Sequence, residues 1–116
     1  MTVTIYGIKT CDTVRKARAF LDAERVPYRF HDFRVDGLDA GLLGRWIDAL
    51  GWERLLNKSS TSFRALPDAS RQVADARAAA ALMLGEPTMI KRPVLDADGR
   101  LTVGFKADEW RSLLER

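Results

Sequence analysis

At 116 residues the chain is long enough for one domain with its own hydrophobic core. Its 47% apolar and 30% charged residues are those of an ordinary soluble globule, with a net charge of +3 and a pI of about 9.4. The single cysteine excludes an internal disulfide, no stretch approaches the roughly 20 apolar residues of a membrane span, and the N-terminus lacks the basic-then-apolar layout of a secretion signal. A cytoplasmic protein with no membrane contact is therefore expected. Acidic residues are scattered among the basic ones, and no Lys/Arg run is interleaved with aromatics. That argues against a nucleic-acid partner, while the charge balance suits a small anionic substrate.

Residues 2–6 alternate polar and apolar with β-branched side chains and predict a strand that Gly7 ends. Over residues 13–25, Val14, Ala17, Phe20 and Leu21 recur at helical spacing, with Arg15, Lys16, Arg18 and Asp22 opposite. Val26-Pro27 stops that helix. Residues 28–33 read as a second strand, Tyr28, Phe30 and Asp32 alternating with Arg29, His31 and Phe33. Strand, helix and strand in so short a span predict a βαβ unit with parallel strands.

The middle is helical. Residues 39–50 place Leu42, Leu43, Trp46, Ile47 and Leu50 on one face, with Gly51 as C-cap. Residues 52–57 add a turn, residues 58–62 read as a polar loop, and an alanine-rich helix starting at Pro67, Asp68 or Ser70 runs to about Leu84. Residues 92–95 and 101–104 then predict strands flanking a turn over 96–100 with Gly99 in it. A final helix over 108–114 buries Trp110, Leu113 and Leu114. The order β-α-β, helical insertion at about 36–88, β-β-α predicts one α/β domain over 1–116 of thioredoxin-like fold, with a four-stranded mixed sheet.

Cys11 falls where the first strand turns into the first helix. A thiol there meets open backbone N–H groups and the positive end of the helix dipole, both of which favour thiolate. Lys9 and Arg15 add positive charge nearby. This pattern predicts a nucleophile rather than a small buried hydrophobe. The residue three beyond the cysteine is Val14, so an oxidised Cys11 needs a thiol from outside, such as glutathione. An anion loop of the phosphatase type would want Arg where Ala17 stands.

Pro93 begins the third predicted strand, at the position that holds a cis peptide in thioredoxin-like folds. A cis bond there turns the backbone of Arg92 toward the sulfur, where it can pair with a cysteinyl substrate as an added strand would; a trans proline would simply start an edge strand. Arg92 is the strongest anion ligand, because guanidinium matches carboxylates and oxyanions in two-point fashion. Lys9, Lys58, Lys91 and Lys106 are further cations that solvation alone also explains. Thr10, Asp12, Thr13 and Asn57 suit helix capping or hydrogen bonds to the thiolate, and Ser59, Ser60 and Thr61 suit a loop. His31, the one histidine, reads as structural rather than as a general base, and with one cysteine it makes no metal site. Trp46, Trp52 and Trp110 lie on apolar helix faces and are expected in the core.

Residues 7–17 (GIKTCDTVRKA), 30–34 (FHDFR), 51–53 (GWE), 55–57 (LLN), 90–95 (IKRPVL) and 103–105 (VGF) together resemble the arsenate reductase (ArsC) family, in its YffB-like branch, with Spx regulators as cousins. The resemblance implies a thioredoxin-like fold with a helical insertion and a single-cysteine thiol-redox enzyme. In glutaredoxin-coupled arsenate reductases the cysteine attacks arsenate among three arginines. Carried over, these are Cys11 and Arg92, while the other two arginine positions fall approximately at Asn57 and Lys106. Lys58 does not reproduce the missing fork. That departure points from arsenate toward glutathione-dependent reduction of a mixed disulfide, with no bound cofactor and glutathione as co-substrate. The resemblance thus implies Cys11 as nucleophile, with Lys9, Thr10, Thr13, Arg15, Lys58, Arg92, Pro93 and Lys106 around the substrate. Partners would be glutathione, glutaredoxin, and a small oxyanion or a protein mixed disulfide. The Spx cousins imply a different class, a non-enzymatic regulator that binds RNA polymerase; Val14 removes the CxxC pair of their redox switch.

Overall fold

The alternation at the N-terminus becomes an inner strand of a four-stranded mixed sheet in the computed structural model, which describes residues 1–115. β1 (Val3–Gly7) pairs in parallel with β2 (Arg29–Asp32) and antiparallel with β3 (Val94–Ala97), and β4 (Arg100–Val103) completes the order β2-β1-β3-β4. Ile5 stands opposite both Phe30 and Leu95, and Val3 opposite Ala97, so these side chains share one face. That face meets α1 (Asp12–Ala23) and α7 (Ala107–Leu113) in a core of Val3, Ile5, Ala17, Leu21, Leu95, Ala97, Trp110 and Leu114. Each large apolar side chain removed from water there contributes about 1.5–3 kcal/mol. Trp110 satisfies its indole N–H by donating to the Gly104 carbonyl at 3.2 Å. The expected α/β, thioredoxin-like arrangement is the one formed.

The described residues form two compact units, residues 1–37 with 92–115 and residues 38–91. In the first, the β3–β4 turn is tighter than the five-residue segment expected. Ala97 pairs with Arg100, leaving Asp98-Gly99 as a two-residue loop with φ of 54° and 86°. Both values belong to the hairpin turn whose twist matches the flanking strands. Asp98 also ties the turn to the N-terminus, accepting from the Thr2 N–H at 2.6 Å. The second strand is shorter than its alternation implied. Asp32 caps a turn of helix, α2 (Phe33–Asp36), by accepting from the Arg34 N–H at 2.8 Å.

The second unit is helical and departs from expectation in two places. α3 (Ala40–Leu50) buries Leu43, Trp46 and Leu50, is capped by Asp39, and ends on Gly51 at φ 85°. α4 (Trp52–Leu55) follows directly. The expected 58–62 loop instead opens α5 (Thr61–Arg64), because the Ser60 hydroxyl accepts from the Phe63 N–H at 3.2 Å while Phe63 is buried. The expected continuous alanine-rich helix is also corrected. A 3₁₀ turn (Asp68–Arg71) comes first, and α6 (Ala76–Gly85) begins anew, with extended Asp75 accepting from the Ala78 N–H at 2.8 Å. The capping carboxylate outweighs helix propensity on its N-terminal side. An antiparallel bridge between Leu56 and Ile90, flanked by Asn57 N–H to Met89 O (2.7 Å) and Lys91 N–H to Leu55 O (2.8 Å), closes this unit.

Candidate functional site

β1 ends at Gly7 because α1 passes close beneath it. A Cβ at Gly7 would lie 2.6 Å from Val14 Cγ2, so only glycine lets strand and helix approach this far. Ile8 is buried, and the Cys11 N–H donates to its carbonyl at 3.0 Å, closing a four-residue turn. Cys11 is then the N-cap of α1 in extended conformation, its own carbonyl accepting the Arg15 N–H at 2.9 Å. The side chain therefore emerges at the helix N-terminus, and the thiol is half-buried rather than walled off.

Partial burial is the largest single influence on the Cys11 thiol and pushes its pKa up. The opposing influences together prevail and leave it below the ordinary cysteine value: the Val14 N–H, then the Arg92 guanidinium by hydrogen bond and by charge, then the Thr13 N–H. The sulfur makes no full cap hydrogen bond, so the two N–H groups act on it mainly as oriented dipoles. Val14, in the place of a second cysteine, is fully buried.

The Arg92–Pro93 peptide is cis and Pro93 is buried. The Pro93 carbonyl accepts from the Gly104 N–H at 2.8 Å, which holds the segment leading to α7 beside the residue following Arg92. Lys106 is the exposed N-cap residue of that helix. Lys9 and Thr10 are exposed in the turn before Cys11, and Thr13 is exposed in the first turn of α1. Arg15 is solvent-facing and pairs with Asp12 rather than pointing its charge at the sulfur alone. Lys58 and Asn57 belong to the second unit. There Lys58 Nζ lies 5.9 Å from the Trp52 ring centre, and Asn57 Oδ1 accepts from the Ser59 N–H at 3.0 Å. Trp52 is half-buried, unlike Trp46 and Trp110.

His31 has a structural place. Its Nε2 lies 2.7 Å from the Gly37 carbonyl, and its ring sits 5.0 Å from that of Tyr6. Among the described residues no three His, Cys, Asp or Glu side chains group as a metal site. One residue of the site region escaped the sequence reading. Asp32 is buried, and its carboxylate accepts the Lys9 N–H at 3.0 Å. The available signal was the alternation itself, which puts Asp32 on the same side as Tyr28 and Phe30, where the core lies. What the first unit presents is one ionisable sulfur, partly open to solvent, beside a guanidinium and two backbone N–H groups. Such a group can displace a thiolate from a disulfide or attack an oxyanion.

The model of the ArsC family matches residues 6–113. A solved YffB protein is 46% identical with a TM-score of 0.94, covering 98% of this chain and 100% of that one. An arsenate reductase (ArsC) related protein of Brucella melitensis is 50% identical with a TM-score of 0.78, covering 97% of this chain and 93% of its own. The global transcriptional regulator Spx of Listeria innocua is 26% identical over 116 residues, 98% of this chain and 88% of the regulator.

Proposed function

We propose a function on the ground that the chain belongs to the ArsC family: a thiol-redox enzyme, and within that class a glutathione-dependent thiol reductase whose nucleophile is Cys11. The arrangement that carries this reading is the half-buried Cys11 sulfur at the start of α1, where the Val14 N–H, the Arg92 guanidinium and the Thr13 N–H favour its thiolate against the effect of burial. The Cys11 thiolate attacks the glutathionyl sulfur of a mixed disulfide, forming a Cys11–glutathione disulfide and expelling the substrate as thiolate, which takes a proton from water. A second glutathione thiolate attacks the glutathionyl sulfur, releasing glutathione disulfide and restoring the Cys11 thiolate. Across both steps, the mixed disulfide and one glutathione thiol give the substrate thiol and glutathione disulfide: the substrate sulfur is reduced and the sulfur of the incoming glutathione is oxidised. Arg92 receives the charge on the leaving Cys11 sulfur. Lys9, Thr10, Thr13, Arg15 and Lys106 supply hydrogen bonds and positive charge for the carboxylates of glutathione, and the backbone beside Pro93 supplies an edge for its peptide groups.

The test is turnover of a glutathionylated peptide with glutathione, coupled to glutathione reductase. Wild type should turn over and Cys11→Ser should not, while remaining folded at the assay temperature. A Cys11→Ser variant of full activity would refute the nucleophile. Arsenate reduction with glutaredoxin is a second reading, supported by the Brucella relative. It is disfavoured by Lys106 and Asn57 in positions where the family resemblance implies arginines. Similarity to Spx supports a third, a regulator that binds RNA polymerase; this predicts co-purification with polymerase and no turnover.

A further inference from the structure

Asp32 is a buried carboxylate with no part in the chemistry above, and nothing in the apolar core of the sheet needs it. Its placement is specific. Asp32 is the last residue of β2, opposite Gly7, where β1 ends. One carboxylate oxygen, Oδ1, accepts from the Arg34 N–H at 2.8 Å and so caps α2. The other, Oδ2, accepts from the Lys9 N–H at 3.0 Å. The backbone of Asp32 is itself held, its N–H donating to Asp36 Oδ2 at 2.9 Å.

The turn that Asp32 grips is the one that places the nucleophile. Lys9 is its second residue and Cys11 its fourth, closed by the Cys11 N–H to Ile8 O bond at 3.0 Å. Gly7 and Ile8 are buried at its start, and α1 begins at its end. Lys9 and Thr10 are exposed, so their side chains do not anchor the turn, and the Asp32 bond fixes it at the Lys9 N–H. We propose that Asp32 is a positioning residue, which pins the 8–11 turn through the Lys9 N–H and thereby keeps the Cys11 sulfur aligned with the Thr13 and Val14 N–H groups and with Arg92. The inference rests on Cys11 being the reactive thiolate of the proposed function.

Geometry and charge make opposite demands here, which gives the idea its test. A carboxylate near a thiolate repels it, so if Asp32 acted on Cys11 only through its charge, removing it would lower the thiol pKa. If Asp32 acts by positioning, removing it slackens the turn and raises that pKa. Alkylation of Cys11 by iodoacetamide, followed against pH in wild type, Asp32→Ala and Asp32→Asn, separates the two. Asp32→Ala should move the midpoint up by about half a unit to one unit and slow the reaction near neutral pH by about 3- to 10-fold. Asp32→Asn retains one carbonyl acceptor for the two donors and should fall between wild type and Asp32→Ala. It also serves as the reading if Asp32→Ala does not fold. A merely structural aspartate would lower the melting temperature of both variants and leave the midpoint where it was. An unmoved midpoint, or one moved down, in a folded variant overturns the proposal. Alkylation needs no glutathione, so a wild type that fails to turn over mixed disulfides would sink the proposed function and leave this measurement to be read separately.

Discussion

Arg92 and Cys11 act as a pair, and the direction of the thiol shift makes their coupling measurable. Burial alone would make Cys11 an ordinary inert cysteine; the guanidinium and two N–H groups reverse the sign. Arg92→Ala should therefore move the alkylation midpoint upward, because burial then acts with less opposition, and Arg92→Lys should restore part of the shift through charge without the fork. The same depression links Cys11 to stability. An unfolded thiol ionises near pH 8.5, and the native one ionises lower. Below the native value both states carry the proton, and the group contributes nothing. Above the unfolded value both are ionised, and the native advantage is complete. The stabilisation from Cys11 thus rises as pH climbs through that window and is lost as pH falls through the native pKa. Urea denaturation at a series of pH values should show wild type gaining on Cys11→Ser as pH rises from the native thiol pKa toward about pH 9; a difference that stays flat would contradict the assignment.

At the scale of elements, the contact of β1 with α1 decides where the sulfur sits. Gly7→Ala would put a methyl 2.6 Å from Val14 Cγ2, so the helix N-terminus must shift or Val14 must leave its place. The cost should be about 1–3 kcal/mol by chemical denaturation, and Cys11 alkylation should change with it. A stability equal to wild type would mean the strand and helix separate freely. Periodicity made α1, α3 and the strand pairs legible, since each has one face in apolar surroundings. Where side-chain caps compete with propensity it was silent. Ser60 starts a helix where a loop was expected, and Asp75 interrupts a run that composition alone makes helical.

Over the whole molecule, the core that seats the sheet-bearing unit centres on Trp110, fully buried against Phe20 and Phe105 with ring centres 6.4 Å and 4.9 Å away. Trp110→Ala removes these contacts and the bond to Gly104, and should cost about 3–5 kcal/mol, a large share of the roughly 5–15 kcal/mol that holds a typical domain. Urea titration measures it; a loss under about 1 kcal/mol would mean that the cavity collapses without penalty.

The amino-acid order by itself determined the four strands, the helices α1, α3 and α7, the mixed sheet and the position of Cys11 at a helix N-terminus, because hydrophobic period and turn residues are local properties of the chain. It also marked Pro93 and Arg92 as the residues to watch. Only tertiary structure decided which cation meets the sulfur. Arg92 reaches it from a strand entry far along the chain, whereas Arg15, four residues on, pairs with Asp12. Tertiary structure likewise turned Asp32 from one more strand residue into the anchor of the turn before the cysteine. The reason is physical: a pKa and a hydrogen bond depend on distances across strands, and those distances exist only once the sheet has closed.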